Sequence, residues 1–119
     1  MIDRRAIERL FETVGRDENS LVELIHCFLD EGPELVSSLA LAAGDRDFTT
    51  MRRSAHSLKS NARDFGATEL SDRCAEIEDD LRAGLEPNDA LERADRVSAC
   101  WDAVEATLRQ IADLKGKLS

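Results

Sequence analysis

Phe48-Thr49-Thr50-Met51-Arg52-Arg53-Ser54-Ala55-His56-Ser57-Leu58-Lys59-Ser60-Asn61-Ala62-Arg63-Asp64-Phe65 carries Phe48, Met51, Ala55, Leu58, Ala62 and Phe65 at alternating steps of three and four. A helical turn takes about 3.6 residues, so those six side chains share one face of a helix. A half-buried strand would alternate in twos, and this stretch does not. Gly66 supplies the stop. The spacing predicts a helix over 46–65 with one apolar stripe and a charged, wet back.

The same pattern recurs on both sides. Residues 3–14 form a short amphipathic helix through Ile7, Leu10, Phe11 and Val14, ended by Gly15. Ser20 and Glu23 have the spacing of a capping box, so the next helix is expected to open there. Its stripe, Leu21, Ile25, Phe28, Gly32, Leu35, Leu39 and Ala42, keeps step across Gly32-Pro33. One helix over 20–43, kinked at Pro33, is therefore expected rather than two. Gly44-Asp45-Arg46-Asp47 breaks it and offers an aspartate as the next N-cap. A further helix over 67–83 runs through Ala67, Leu70, Cys74, Ile77 and Leu81 to Gly84. Pro87-Asn88 opens the last, over 88–115, with Ala94, Val97, Trp101, Val104, Leu108 and Ile111. Four long helices, short connections and one stripe each must pack against one another. The expected fold is all-α: a single domain over 1–119, an antiparallel up-and-down four-helix bundle with a short extra N-terminal helix.

Composition agrees. With 119 residues there is room for one core, and four Phe, one Trp and no Tyr leave little to build strands from. A net charge of −9 argues against nucleic acid or an anionic membrane as the partner. Cys27, Cys74 and Cys100 are odd in number, show no CxxC spacing and fall in apolar segments. They read as reduced core residues, and with no apolar run long enough to cross a bilayer the expected compartment is the cytoplasm. Met1-Ile2-Asp3-Arg4-Arg5 lacks the apolar core of a signal peptide.

Chemistry enters on the wet side of the 46–65 helix. At about 100° per residue, His56 stands about 130° from the centre of the apolar stripe, facing solvent. Arg52, Lys59 and Arg63, at i−4, i+3 and i+7, share its side; Arg53 and Ser60 lie on the other flank. Cations gathered round one imidazole in so acidic a chain favour its neutral, nucleophilic form and would stabilise an anion attached to it. A phosphoryl group meets both conditions. The plain alternative is a solvated basic face.

Other chemistries find less support. No His, Asp or Cys stands at i±3 or i±4 from His56, and cations repel a metal ion, so no metal site is expected. A nucleophilic triad lacks its base and oxyanion donors. His26, beside Cys27 in an apolar run, reads as a boundary residue. Glu78 follows the core position Ile77 as His56 follows Ala55. If the two helices form a hairpin around Gly66, Glu78 can accept from one ring nitrogen and fix the tautomer; otherwise it is a surface carboxylate.

Ala55-His56-Ser57-Leu58-Lys59-Ser60, Phe65-Gly66-Ala67, Leu70, Cys74 and Ile77-Glu78 together resemble the signature of the histidine-containing phosphotransfer (HPt) domain family. The resemblance extends in length and pattern over nearly the whole chain. It implies that His56 is the phosphoacceptor, that Lys59 pairs with the phosphoryl group, and that Glu78 hydrogen-bonds the imidazole from the adjacent helix. Leu58 and Leu70 match packing positions. Where the family usually has Gly the chain has Ser60, a small residue whose hydroxyl could bond phosphoryl oxygens. The resemblance further implies a phosphorelay intermediate without ATP binding or autokinase activity. It would exchange a phosphoryl group with the aspartate of a response-regulator receiver domain, or take one from a sensor or hybrid histidine kinase. The chain itself would need no cofactor, Mg²⁺ residing in the receiver. A bundle that closes its own core has no need of a dimer, so a monomer is expected. Kinase dimerisation domains also display a helical histidine, but with an acidic residue after it where this chain has Ser57. A helical adaptor that binds a receiver or kinase without being phosphorylated is the alternative from another class. A metal-dependent helical enzyme is a third.

Overall fold

The computed structural model describes the backbone of residues 2–118 and the side chains of residues 2–115. Five helices follow in order: α1 Arg4–Thr13, α2 Glu18–Asp45, α3 Phe48–Asp64, α4 Thr68–Arg82 and α5 Ala90–Leu118. The α2–α5 bundle measures 47 × 20 × 19 Å together with α1. Its long axis is set by α2 and α5, since 28 or 29 residues at about 1.5 Å each reach beyond 40 Å. Helices α2, α3, α4 and α5 pack round in that order, and α2 also packs along α5 to close the bundle. Helix α1 lies across one end, touching α2 and α3. The fold is the four-helix bundle with a short N-terminal helix that the stripes imply.

Local chemistry accounts for the helix ends. Asp3, Asp17 and Asp47 each accept a backbone amide of the turn they precede, so α1, α2 and α3 all open on an aspartate cap. For α2 this corrects the Ser20 capping box. The helix starts at Glu18, and Ser20 lies within its first turn, donating its hydroxyl to the Asp17 carboxylate at 2.8 Å. Asp17 wins because it reaches the Asn19 amide as a charged acceptor, a stronger bond than a hydroxyl makes. Helix α2 then runs unbroken through Pro33, as one element, and ends at Arg46 in the left-handed region.

The core is the sum of the stripes, with Leu10, Val14, Phe48 and Leu81 partly buried at its margin and two further corrections. Leu35 is only half-buried; its neighbour Val36 takes the core position. Cys27 is exposed, Cys100 intermediate and only Cys74 buried, so the reading of all three as core fails. Burial, with Cys100 and Glu78 close by, pushes the Cys74 thiol up to about 12, which leaves it an unreactive packing group. Aromatic packing ties the bundle together: Phe28 stacks on Phe65 at 4.9 Å and meets the edge of Trp101 at 5.0 Å. Gly32 is what lets Trp101 in, because a Cβ there would sit 2.1 Å from the indole ring. Gly66, at φ +74°, turns the chain from α3 to α4 and accepts the Asp3 amide at 2.8 Å. A Cβ at Gly66 would meet the Asp3 carbonyl at 2.5 Å, so the turn also forms the seat of α1.

Among the described residues, no helix is long and apolar enough to cross a membrane.

Candidate functional site

The α3–α4 hairpin builds the site. With Leu58 and Ala62 of α3 packed over Leu70, Cys74 and Ile77 of α4 in one core, the residues flanking those positions meet along the seam. Ser71 fixes the register by donating its hydroxyl to the Lys59 carbonyl at 3.2 Å. Two turns further along α4, Glu78 arrives opposite His56 and Lys59.

Glu78 is 1% exposed, an ionised side chain inside the bundle wall. Such a charge is costly unless partnered, and three donors partner it. His56 contacts Oε2 through Nδ1, Lys59 donates to Oε1 at 2.5 Å, and Arg82 donates to Oε2 at 3.1 Å. Burial pushes the carboxyl group up, but the bonds from Lys59 and His56 outweigh it and hold Glu78 below the usual carboxylate range. It is therefore ionised at neutral pH. A carboxylate has no proton to give, so Nδ1 of His56 must be the donor, and in the neutral ring Nε2 carries the lone pair. The His56 side chain is 57% exposed, and Nε2 has no protein partner among the described residues.

The arrangement differs in three ways from the cationic ring read on the helical wheel. The charge nearest the imidazole is the Glu78 carboxylate, not a cation. Lys59 points to that same carboxylate and is only 20% exposed. Arg63 is not brought to His56: it lines a separate cleft with Ala6, Arg9, Leu10 and Thr13 of α1 and with Asp64. Seven residues are two turns, about 10 Å along the axis, and a wheel projects that distance away. Arg52 does stand by the imidazole, lining a groove of about 430 Å³ with Arg53, His56, Ser57, Glu78 and Arg82. Ser60 lines a second groove, of about 500 Å³, with Glu31, Glu34, Leu35, His56, Ser57 and Asn61.

Sequence reasoning missed Arg82 and the α2 wall. Arg82 stands four residues after Glu78, the spacing at which a helix pairs opposite charges, and that signal was available. Nothing in the local pattern of α2 marked Glu31, Glu34 and Leu35 as neighbours of His56, because their proximity arises only from helix packing. Among the described residues no three His, Cys, Asp or Glu side chains gather as a metal-ligand set.

Chemically, the site offers a solvent-facing imidazole nitrogen with its tautomer fixed, a buried negative charge behind the ring, and lysine and arginine cations beside it. Such an imidazole can take up an electrophilic group at Nε2 while the carboxylate balances the positive charge the ring acquires.

Known proteins share this fold. The chain is similar to histidine-containing phosphotransfer protein B (HptB) from Pseudomonas aeruginosa PAO1 over 94% of each chain, with a TM-score of 0.84 and 26% identity. It shares the fold of the HPT domain from the Hpt sensor hybrid histidine kinase of Shewanella, with a TM-score of 0.77 and 22% identity over 91% of this chain and 92% of that one. No curated protein sequence matches it. The family model described as the Hpt domain matches residues 23–116, which span α2 to α5 with the whole α3–α4 seam, and the chain belongs to that family.

Proposed function

We propose that the protein is a phosphocarrier of a phosphorelay, with His56 as the residue that holds the phosphoryl group. The observation that carries the reading is the pairing of an exposed imidazole with a buried, ionised Glu78 at Nδ1. In the step proposed, the Nε2 lone pair attacks the phosphorus of an aspartyl phosphate on a receiver domain. The P–O bond breaks, and its electron pair stays on the receiver aspartate. The ring keeps its Nδ1 proton and gains a positive charge, which Glu78 faces directly. Forward transfer to a second receiver reverses these movements, so no proton has to enter or leave the site.

Lys59 has a second role in this reading. Its flexible stem allows the ammonium to leave Glu78 Oε1 and meet the phosphoryl oxygens. Glu78 is not stranded when that happens, because Arg82 remains on Oε2 and the ring on Nδ1. Arg52 and Ser60 border the space the phosphoryl group would enter. The protein needs no cofactor of its own for this chemistry; Mg²⁺ belongs to the receiver. Phosphoryl transfer asks mainly for positioning and charge, which a rigid bundle supplies.

Incubation with phosphorylated receiver domains of the source organism tests the proposal. Wild-type protein should acquire an acid-labile, base-stable label, and His56→Gln should acquire none. Absence of label with every receiver and kinase tried would leave a non-phosphorylated adaptor as the reading.

A further inference from the structure

His56 stands on a ridge between two grooves of opposite charge. The groove toward α2 carries Glu31 and Glu34; the groove toward α4 carries Arg52, Arg53 and Arg82 against the buried carboxylate of Glu78, with which Arg82 pairs. Glu31, Glu34, Arg52 and Arg53 are all exposed, and none forms an ion pair among the described residues. Three arginines elsewhere pair with a carboxylate four residues away, Arg73 with Glu69, Arg93 with Asp89 and Arg109 with Glu105. Scattered charges such as Asp72 and Arg96 are also unpaired among the described residues, but they are not sorted by sign about a reactive atom. Beside His56, like charges are neighbours on their own helix and draw no i,i+4 pairing from it, although Arg53 acts through space on the Asp47 cap. Unpaired charges sorted by sign across one reactive atom suit a partner that meets both sides at once.

Resting on the phosphocarrier reading, we infer that this division selects and orients the receiver domain. The arginine side takes the dianionic phosphoryl group and the acidic pole that bears it. The α2 side takes a basic side chain of the receiver, held by Glu31 and Glu34 over the footing of the half-buried Leu35. A receiver docked half a turn round would set cation on cation and acid on acid, so the charges exclude the unproductive orientation as well as favouring the productive one.

The double variant Glu31→Lys/Glu34→Lys, with helix content verified by circular dichroism, tests this through two donors. Phosphoramidate, a small anionic donor that needs no docking, reads His56 itself and should label the variant at least as fast as wild type, since the added lysines attract it. Transfer from the phosphorylated receiver of the source organism that reacts fastest with wild type should fall by about tenfold or more in kcat/KM at low ionic strength. The gap should narrow at 0.5 M salt, where the Debye length is on the order of 4 Å. Receiver variants with a surface Lys or Arg changed to Glu should recover transfer to the double variant alone. Unchanged transfer from the receiver would overturn the inference. So would an equal loss with both donors, since the substitutions would then be acting on His56 rather than on docking. Failure of phosphoramidate and receivers alike to label wild type would overturn the phosphocarrier reading, and this inference with it.

Discussion

The α2–α5 seam and the α3–α4 seam join helices of the same bundle by different means. Between α2 and α5 the contact is shape: Gly32 opens a slot, Trp101 fills it, and Phe28 closes on the indole edge. Between α3 and α4 the contact includes a buried carboxylate with three donors, set among Leu58, Leu70, Cys74 and Ile77. Apolar packing would have served the second seam at least as well, since a buried ion pair is often no better than hydrocarbon of the same volume. The difference teaches that stability is concentrated where no chemistry is needed, and that the polar seam is kept for what it does to His56.

Breaking the apolar seam should produce the largest effect on folding. Trp101→Ala removes a ring that is 4% exposed and leaves a cavity lined by Gly32 and Phe28. Losses of about 3–5 kcal/mol are usual for such a truncation. Because Trp101 is the sole tryptophan, urea unfolding should be followed by circular dichroism rather than fluorescence. A loss below about 1 kcal/mol would mean the seam does not depend on the indole. Reactivity of His56 toward phosphoramidate should survive wherever the variant remains folded, which separates the two seams by function.

The same contrast explains what could be read from the sequence. Apolar stripes are periodic, so α3, α5 and the continuity of α2 through Pro33 were legible from spacing alone. The slot at Gly32 was legible only as a stripe position without a side chain; that Trp101 fills it depends on how α5 is registered against α2. At the polar seam the residue types were legible and their burial was not. Glu78 flanks the stripe of α4, and whether it meets solvent or His56 is decided by the α3 backbone opposite, through contacts such as Ser71 to Lys59. Arg63 shows the reverse failure, a correct angle on the wheel and the wrong height along the axis. Cys27 lies outside the α2 face that packs inward, as its distance from the stripe positions Ile25 and Phe28 did not reveal.

An intermediate effect should follow when the charge at the polar seam is removed. Glu78→Gln keeps the shape but gives Lys59 and Arg82 a neutral acceptor, at a cost of about 1–3 kcal/mol at pH 7. The pH dependence has a definite sign. Glu78 is held below its usual value in the folded chain, so its contribution is complete above the unfolded value of about 4.3 and is lost as pH falls through the lower folded value. Asp3, bonded to the Arg5 amide, and Asp47, bonded to Thr50, are lowered as well, so both proteins lose stability in acid. The gap between them isolates Glu78 at its acid end: it should shrink below about 4. A gap that stayed constant to pH 3 would show that the carboxylate draws nothing from its partners.

The smallest effect should come from Arg82, and its smallness is informative. Arg82 and Lys59 both hold Glu78, but the Arg82 side chain is 59% exposed and that of Lys59 only 20%. Water screens the outer pair, so Arg82→Gln should cost less than about 1 kcal/mol, and less still at high salt. Lys59→Met should cost more, because it strips the better-buried donor from the carboxylate. If Arg82 instead keeps Glu78 partnered while Lys59 serves the phosphoryl group, its absence should be felt after phosphorylation rather than before. Arg82→Gln should then shorten the lifetime of phosphohistidine several-fold while leaving unfolding of the unmodified protein almost unchanged. Equal lifetimes for the variant and wild type would mean that Lys59 never leaves Glu78, and that the polar seam is as static as the apolar one.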